Sequence, residues 1–429
     1  MKQPVLRRAG KALALAIVAA LLLGALVAWL NVRGEEPVDA TPPPAATTEQ
    51  IERGAYLAHA GNCVGCHTAR GGVPYAGGRA VPTPFGDVYA PNLTPDAATG
   101  IGGWSDSQFW RALHHGRSRD GRLLYPAFPY PNYTRITRTD ADAIHAYLRS
   151  LAPVHLQNRP HELRFPFDQQ AALAVWRALY FRAAPFEPDP ARTAGWNRGA
   201  YLVEGLGHCN ACHASRNLLG ATSNPLDLAG GLIPVQNWYA PSLTSASEAG
   251  VADWPAADVA ALLKTGVAPQ ASVSGPMSEV VLGSTQHLNA SDLSAMVEYL
   301  RALPRAEVMP PPEAASGVKP NAVGAKLYDQ HCAACHGERG EGVRGAYPAL
   351  AGNRAVLLET PANLVHIVLE GGFAPSTAGN PRPFGMPPFA TVLSDTEVAA
   401  LLSYLRASWG NQAAPVSALE VSRFRSSSR

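Results

Sequence analysis

The chain has 429 residues, 16% of them charged, and a formal net charge of +2. At roughly 150 residues per domain it is too long for one ordinary core and points to about three. So balanced a charge excludes neither membrane nor protein contacts but gives no support to a nucleic-acid partner. The many Gly (39) and Pro (38) argue for loop-rich domains rather than long sheets or bundles.

In chain order, Lys2, Arg7, Arg8 and Lys11 precede an apolar run over residues 12–30. As a helix this run spans roughly 28 Å, enough for a bilayer's hydrocarbon core. The competing reading is a cleaved signal peptide, whose apolar region is normally about 7–15 residues long and ends in a small-x-small site. This run is longer and ends in Trp29, Leu30 and Asn31. A retained transmembrane anchor is therefore expected, with its basic end cytoplasmic and the rest of the chain on the periplasmic side of the inner membrane. A Pro-rich spacer over residues 37–48 follows.

All six cysteines fall into three Cys-x-x-Cys-His runs: Cys63, Cys66 and His67; Cys209, Cys212 and His213; Cys332, Cys335 and His336. A thioredoxin-like pair has no need of the histidine, and a zinc site would want further Cys or His at short spacing. Two thiols three positions apart on one helical turn can instead form thioethers to the two vinyl groups of a haem, and the next residue then reaches the iron as proximal ligand. Three covalent c-type haems are expected.

The surroundings of the three motifs repeat. Upstream lie Arg53-Gly54-Ala55-Tyr56-Leu57, Arg198-Gly199-Ala200-Tyr201-Leu202 and Gly324-Ala325-Lys326-Leu327-Tyr328. In the middle Tyr89-Ala90-Pro91-Asn92 matches Tyr239-Ala240-Pro241-Ser242, with Tyr347-Pro348-Ala349-Leu350 more divergent. Each unit closes on a helix ending in Tyr-Leu-Arg. The pairs Thr137 with Asp140, Asn289 with Asp292 and Ser394 with Glu397 supply a cap and an acid for its N-terminus. The apolar residues before them, Ile136, Leu288 and Leu393, are placed as hydrophobic staples.

These patterns predict a mainly α chain. One N-terminal transmembrane helix precedes three tandem domains, over residues 50–152, 195–304 and 319–410, whose order of helix, haem motif, loops and closing helix resembles the class I cytochrome c fold. Residues 304–317 form a Pro-rich linker between the second and third units. The connector over residues 153–195 carries an apolar helical stretch from Leu173 to Phe181. Core packing between the first two units is the favoured role for it, and a membrane-facing or quinone-facing surface is the alternative.

A thioether sulfur as sixth ligand would raise the potential of such an iron and keep its coordination fixed on reduction. Met277 and Met386 lie in Gly/Pro-rich loops between the haem motif and the closing helix and are the candidate ligands, whereas Met296 reads as packing and Met309 sits in the linker. Unit one carries Phe128 where its methionine is expected, and there is no methionine between Met1 and Met277. His114 and His115 lie just upstream, so a bis-His iron, a five-coordinate iron or a ligand from another unit are the options, with surface histidines as the plain alternative.

The runs Gly199-Ala200-Tyr201-Leu202-Val203-Glu204-Gly205-Leu206-Gly207-His208-Cys209, Ser274-Gly275-Pro276-Met277, Ser284-Thr285-Gln286-His287-Leu288, Met386-Pro387-Pro388-Phe389 and Ser408-Trp409-Gly410-Asn411 resemble the triple-haem cytochrome c subunit of bacterial membrane-bound dehydrogenases. The resemblance implies an electron-transfer subunit. It would take electrons from a separate catalytic dehydrogenase subunit and pass them to ubiquinone or onward toward an oxidase. By branch, the partner is a PQQ alcohol dehydrogenase, a flavoprotein acting on gluconate, sorbitol or similar polyols, or a molybdopterin enzyme acting on aldehydes or N-heterocycles. A retained anchor and Phe128 lean toward the last. From the residues alone two rivals stay open: a haem enzyme with an open iron in unit one, and a free-standing electron shuttle.

Overall fold

The computed structural model of the chain describes residues 3–222, 227–306 and 321–427; Met309 and most of the Pro-rich linker lie outside them. The protein is mainly helical, in chain order α1 (Gln3–Val32), α2 (Thr48–Ala60), α3 (Cys63–Cys66), α4 (Asp106–His115), α5 (Tyr130–Tyr133), α6 (Arg138–Ser150) and α7 (Gln170–Tyr180). There follow α8 (Ala194–Ala200), a π-helical turn (Tyr201–Leu206), α9 (Asn210–His213), α10 (Ala256–Thr265), α11 (Pro276–Gly283) and α12 (Ala290–Arg301). The last part contains α13 (Ala322–His331), α14 (Ala333–His336), α15 (Arg354–Leu357), α16 (Ala362–Glu370), α17 (Asp395–Ala407) and α18 (Ala418–Ser427). Strands are short: the hairpin β1 (Ala80–Thr83) and β2 (Gly86–Tyr89) takes β3 (Glu162–Leu163) on its free edge, all antiparallel.

One close helix crossing recurs three times. A Cβ on Gly54 would sit 1.9 Å from the Ala143 carbonyl oxygen, one on Gly199 2.0 Å from that of Ala295, and one on Gly324 2.3 Å from that of Ala400. Only glycine lets the opening helix of each unit (α2, α8, α13) lie this close to the closing helix (α6, α12, α17). The caps on the closing helices form as the sequence predicts. Thr137 Oγ1 accepts the Asp140 N–H at 3.2 Å, Asn289 Oδ1 that of Asp292 at 2.8 Å, and Ser394 Oγ that of Glu397 at 3.3 Å within a capping box.

The acids behave differently from one another. Glu397 completes its own capping box, but Asp140 and Asp292 are taken up by side chains from elsewhere. Arg53 and Tyr201 converge on Asp140, and Arg198 and Tyr56 converge on Asp292, so each of the first two units lends a tyrosine to the other. Units one and two accordingly share one continuous core, including Leu57, Ile136, Leu148, Leu202, Leu206, Leu293 and Met296, while the third unit has its own around Leu369, Leu401 and Leu402. Met296 is packing, as expected. The third unit leans on the second through Asn363, whose side chain exchanges two hydrogen bonds with the Tyr239 backbone at 2.8 and 2.7 Å, and through His366 stacked on Trp238. Beyond residue 410 the chain continues into α18, whose Val421 is buried in the third core.

Helix α1 is apolar from Ala9 to Val32 with a mean hydropathy of 2.7, long and apolar enough to cross a membrane, and no part of that window is buried by the rest of the protein. Its end is fastened to the fold. The Asn31 amide donates to the Ala174 carbonyl at 2.9 Å and accepts from Arg177 at 2.9 Å, and Glu35 pairs with Arg117 at 3.1 Å. Helix α7 is thus no spacer buried between units one and two. Only Leu173 and Arg177 are buried, and the helix packs against the end of α1, because the shared core is already filled by α2, α6, the π turn and α12.

Candidate haem-attachment sites

Each Cys-x-x-Cys-His run forms one turn of helix. The His67 N–H donates to the Cys63 carbonyl at 3.0 Å, that of His213 to Cys209 at 2.9 Å and that of His336 to Cys332 at 2.9 Å, which sets both thiols and the imidazole on one turn. Each imidazole is then oriented from the opposite side. Nδ1 of His67 donates to the Pro91 carbonyl at 2.8 Å, Nδ1 of His213 to Pro241 at 2.7 Å and Nδ1 of His336 to Pro348 at 2.9 Å. Since a carbonyl only accepts, the proton sits on Nδ1 and the lone pair on Nε2, the arrangement of a metal-binding histidine tied by its second nitrogen. Burial lowers all three histidines from their ordinary value, which keeps them neutral and able to coordinate.

Burial acts on the thiols as well. Burial, with the neighbouring cysteine adding, pushes Cys63 and Cys209 up to about 12 and Cys332 up to about 11. A dithiol oxidoreductase needs a stabilised thiolate, and among the described residues no three His, Cys, Asp or Glu side chains are grouped as a metal cage. Two thiols on one helical turn beside a tethered neutral imidazole fit a covalently attached haem.

The prolines are the residues that sequence reasoning passed over. They stand in the Tyr-Ala-Pro repeat and in Tyr347-Pro348, so the signal was visible, but the working group is a backbone carbonyl and carries no side-chain signature.

Met277 is the second residue of α11, two after Gly275, whose backbone lies against the Trp238 ring; Trp238 is three residues before Pro241, so the methionine loop and the His213-holding loop meet through it. Met386 pairs in a two-residue ladder with Gly372, and Phe384 beside it packs on Tyr347 at 5.1 Å, next to His336. Both methionine segments are therefore brought to the loops that hold their histidines.

In unit one Phe128 packs 5.4 Å from the Tyr133 ring, and Tyr133 donates to the Gly61 carbonyl at 3.1 Å beside Cys63. His114 and His115 are not surface residues. Both are buried, His114 stacked on Trp110 and His115 crowded by it, and burial followed by the charges of His114 and Arg177 lowers His115 to about 4. The segment that replaces the methionine loop serves the neighbouring unit. Asn132 on α5 donates to Asn210, inside the second haem motif, at 2.6 Å and to the Glu204 carbonyl at 2.7 Å. The reverse contact is made by unit two, where Ser284 donates to the Ala60 carbonyl at 3.0 Å and His287 stacks on His59 at 4.0 Å. The first two motifs consequently face each other. Burial raises the Cys212 thiol, Arg216 opposes the rise, and Cys66 of unit one is near enough to add to it.

The π turn of unit two makes room for this interface. One more residue separates Gly199 from Cys209 than Gly54 from Cys63, and the widened turn absorbs it. It also buries Glu204, which accepts from Arg135 of unit one at 2.8 Å and from Tyr299 at 2.6 Å.

Comparison with known proteins agrees with the geometry. The cytochrome c family matches residues 51–152 and 322–409. The chain is 37% identical over 404 residues to the alcohol dehydrogenase (quinone) cytochrome c subunit of Gluconacetobacter polyoxogenes, covering 89% of this chain and 85% of that one. It is 36% identical to the gluconate 2-dehydrogenase cytochrome c subunit of Pantoea cypripedii, covering 87% and 89%. It is also 41% identical to a nicotinate dehydrogenase subunit of Pseudomonas putida, covering 90% of this chain and 32% of that longer one.

Proposed function

Because this chain belongs to the family of cytochrome c subunits of membrane-bound, quinone-dependent dehydrogenases, we propose that it is an electron relay with three covalent haems c. It would carry electrons from a catalytic dehydrogenase subunit at the periplasmic face of the inner membrane to ubiquinone or to the rest of the respiratory chain. The single observation that supports the relay most directly is the threefold recurrence of a tethered histidine beside two thiols on one helical turn, with the first two copies facing each other. When bound there, haem c supplies one-electron exchange at iron.

The chain's own residues do the rest. Cys63 and Cys66, Cys209 and Cys212, and Cys332 and Cys335 would fix each macrocycle by thioethers. His67, His213 and His336 would coordinate through Nε2, with the Pro91, Pro241 and Pro348 carbonyls holding their tautomer. Met277 and Met386 would complete the second and third irons, and unit one has no methionine of its own for the first. Helix α1 is the retained anchor. Among the branches of the family, the molybdopterin one acting on N-heterocycles is favoured by the 41% identity with the nicotinate dehydrogenase chain.

Pyridine haemochrome analysis of the exported protein tests the cofactor assignment. Three haems per chain that resist acid-acetone extraction are expected, and fewer would remove it. Purification in mild detergent tests the relay, since recovery with no large co-purifying protein would leave a free-standing shuttle.

A further inference from the structure

Helix α7 is amphipathic the wrong way round for a helix facing water. Its buried face carries the charge, Arg177, which is tied to Asn31 and the Gly116 carbonyl. Its open face carries Ala171, Val175 and Leu179, with Val175 48% and Leu179 64% exposed. Polar residues return only at the ends, with Asp168 and Gln169 before the helix, Gln170 at its first position and Arg182 after it. The apolar surface extends beyond the helix. The Trp176 indole donates to the Leu219 carbonyl at 2.9 Å, and this holds out Leu218, which is 98% exposed.

The position of this surface along α1 says what covers it. The apolar window of α1 ends at Val32, and Asn31 in its last turn is bonded to Ala174 in the middle of α7. If α1 crosses a bilayer, the middle of α7 must lie at the bilayer boundary, within a hydrogen bond's length of the point where α1 leaves the apolar layer. Trp29, with Arg33 over its ring, marks the same level, and Trp176 and Tyr180 add the amphipathic aromatics that favour headgroup depth. A row of exposed aliphatic side chains without charges, placed at that depth, is what an interfacial helix presents to lipid.

We propose that α7 and the Leu218–Leu219 loop form a second, monotopic contact with the outer leaflet of the membrane, so that the protein is held at two points and the first two units cannot swing about α1. This rests on the reading of α1 as a retained anchor.

The test uses the full-length holoprotein in nanodiscs of phosphatidylethanolamine and phosphatidylglycerol. Thioether formation consumes the native cysteines, so an introduced one is the only free thiol. L22C reports on α1, L179C and L218C on the proposed face, and V323C on an exposed apolar residue of the third unit, 58% open in the fold. Each is labelled with a charged, water-soluble maleimide and followed by mass. L22C, L179C and L218C are expected to react at least tenfold more slowly than V323C. Slow L22C with L179C and L218C as fast as V323C would overturn the membrane face and leave the anchor standing. If residue 22 is missing from the mature chain, the anchor reading fails and the two-point attachment that rests on it fails with it, an outcome distinct from a retained, slow L22C with a fast L179C.

Discussion

The Tyr56 hydroxyl donates to the Asp292 carboxylate at 2.6 Å, joining the opening helix of unit one to the closing helix of unit two. The return contact, Tyr201 to Asp140 at 2.7 Å, makes the interface nearly self-complementary. Unit three has Lys326 at the matching position and takes no part. The first two units are thus a locked pair that presents its haem motifs to each other, and the third is an appended domain.

Tyr56→Phe removes a hydrogen bond to a charged acceptor while Arg198 still pairs with Asp292, so a loss of about 1.5 kcal/mol is expected. Tyr201→Phe should cost a similar amount because its surroundings repeat. Urea unfolding followed by haem absorbance measures both, and midpoints equal to the parent's would show that the tyrosines do not join the units.

Acid weakens the same contact. Burial opposes a charge on Asp292, but Arg198 and then Tyr56 outweigh it and hold the carboxyl below its ordinary value. The unfolded chain takes up that proton near pH 4, the folded one only at lower pH. The stabilisation is therefore complete above about pH 4 and is lost as pH falls through the folded value. Arg198→Met should raise the acid-unfolding midpoint, and an unmoved midpoint would count against this role.

Gly199→Ala places a Cβ 2.0 Å from the Ala295 carbonyl oxygen, where backbone and not a flexible side chain must yield. A loss of about 3 kcal/mol is expected from such overpacking. The yield of exported holoprotein, compared with that of Gly345→Ala, where nothing lies within 4 Å of the new atom, reads the difference. Gly345 has a φ of +76°, so the cost of its substitution is conformational and should be the smaller.

Met277→Leu and Met386→Leu should each lower one midpoint potential by on the order of 0.1 V, within the roughly 0.8 V range that axial ligands span. Spectroelectrochemical titration resolves the three haems. The third component, expected from unit one because that unit has no methionine of its own, should stay put in both variants, and a shift of all three components would place one of these methionines on the first iron.

The sequence by itself determined the chemistry. Three Cys-x-x-Cys-His runs leave no cysteine for any other purpose, and the caps, staples and opening glycines are local features whose physics acts within one or two helical turns or at one crossing. Even Phe128, the break in the pattern, was visible as a residue type. Tertiary structure alone decided which groups act across units. Asp140 and Asp292 looked like partners of their own helix ends and became acceptors for a neighbour's tyrosine. His114 and His115 looked like surface residues and are buried. An apolar helix that periodicity assigned to the core faces outward. In each case a residue's type fixes what it can bond, but only the packing of distant segments fixes which partner arrives first and how much water is left.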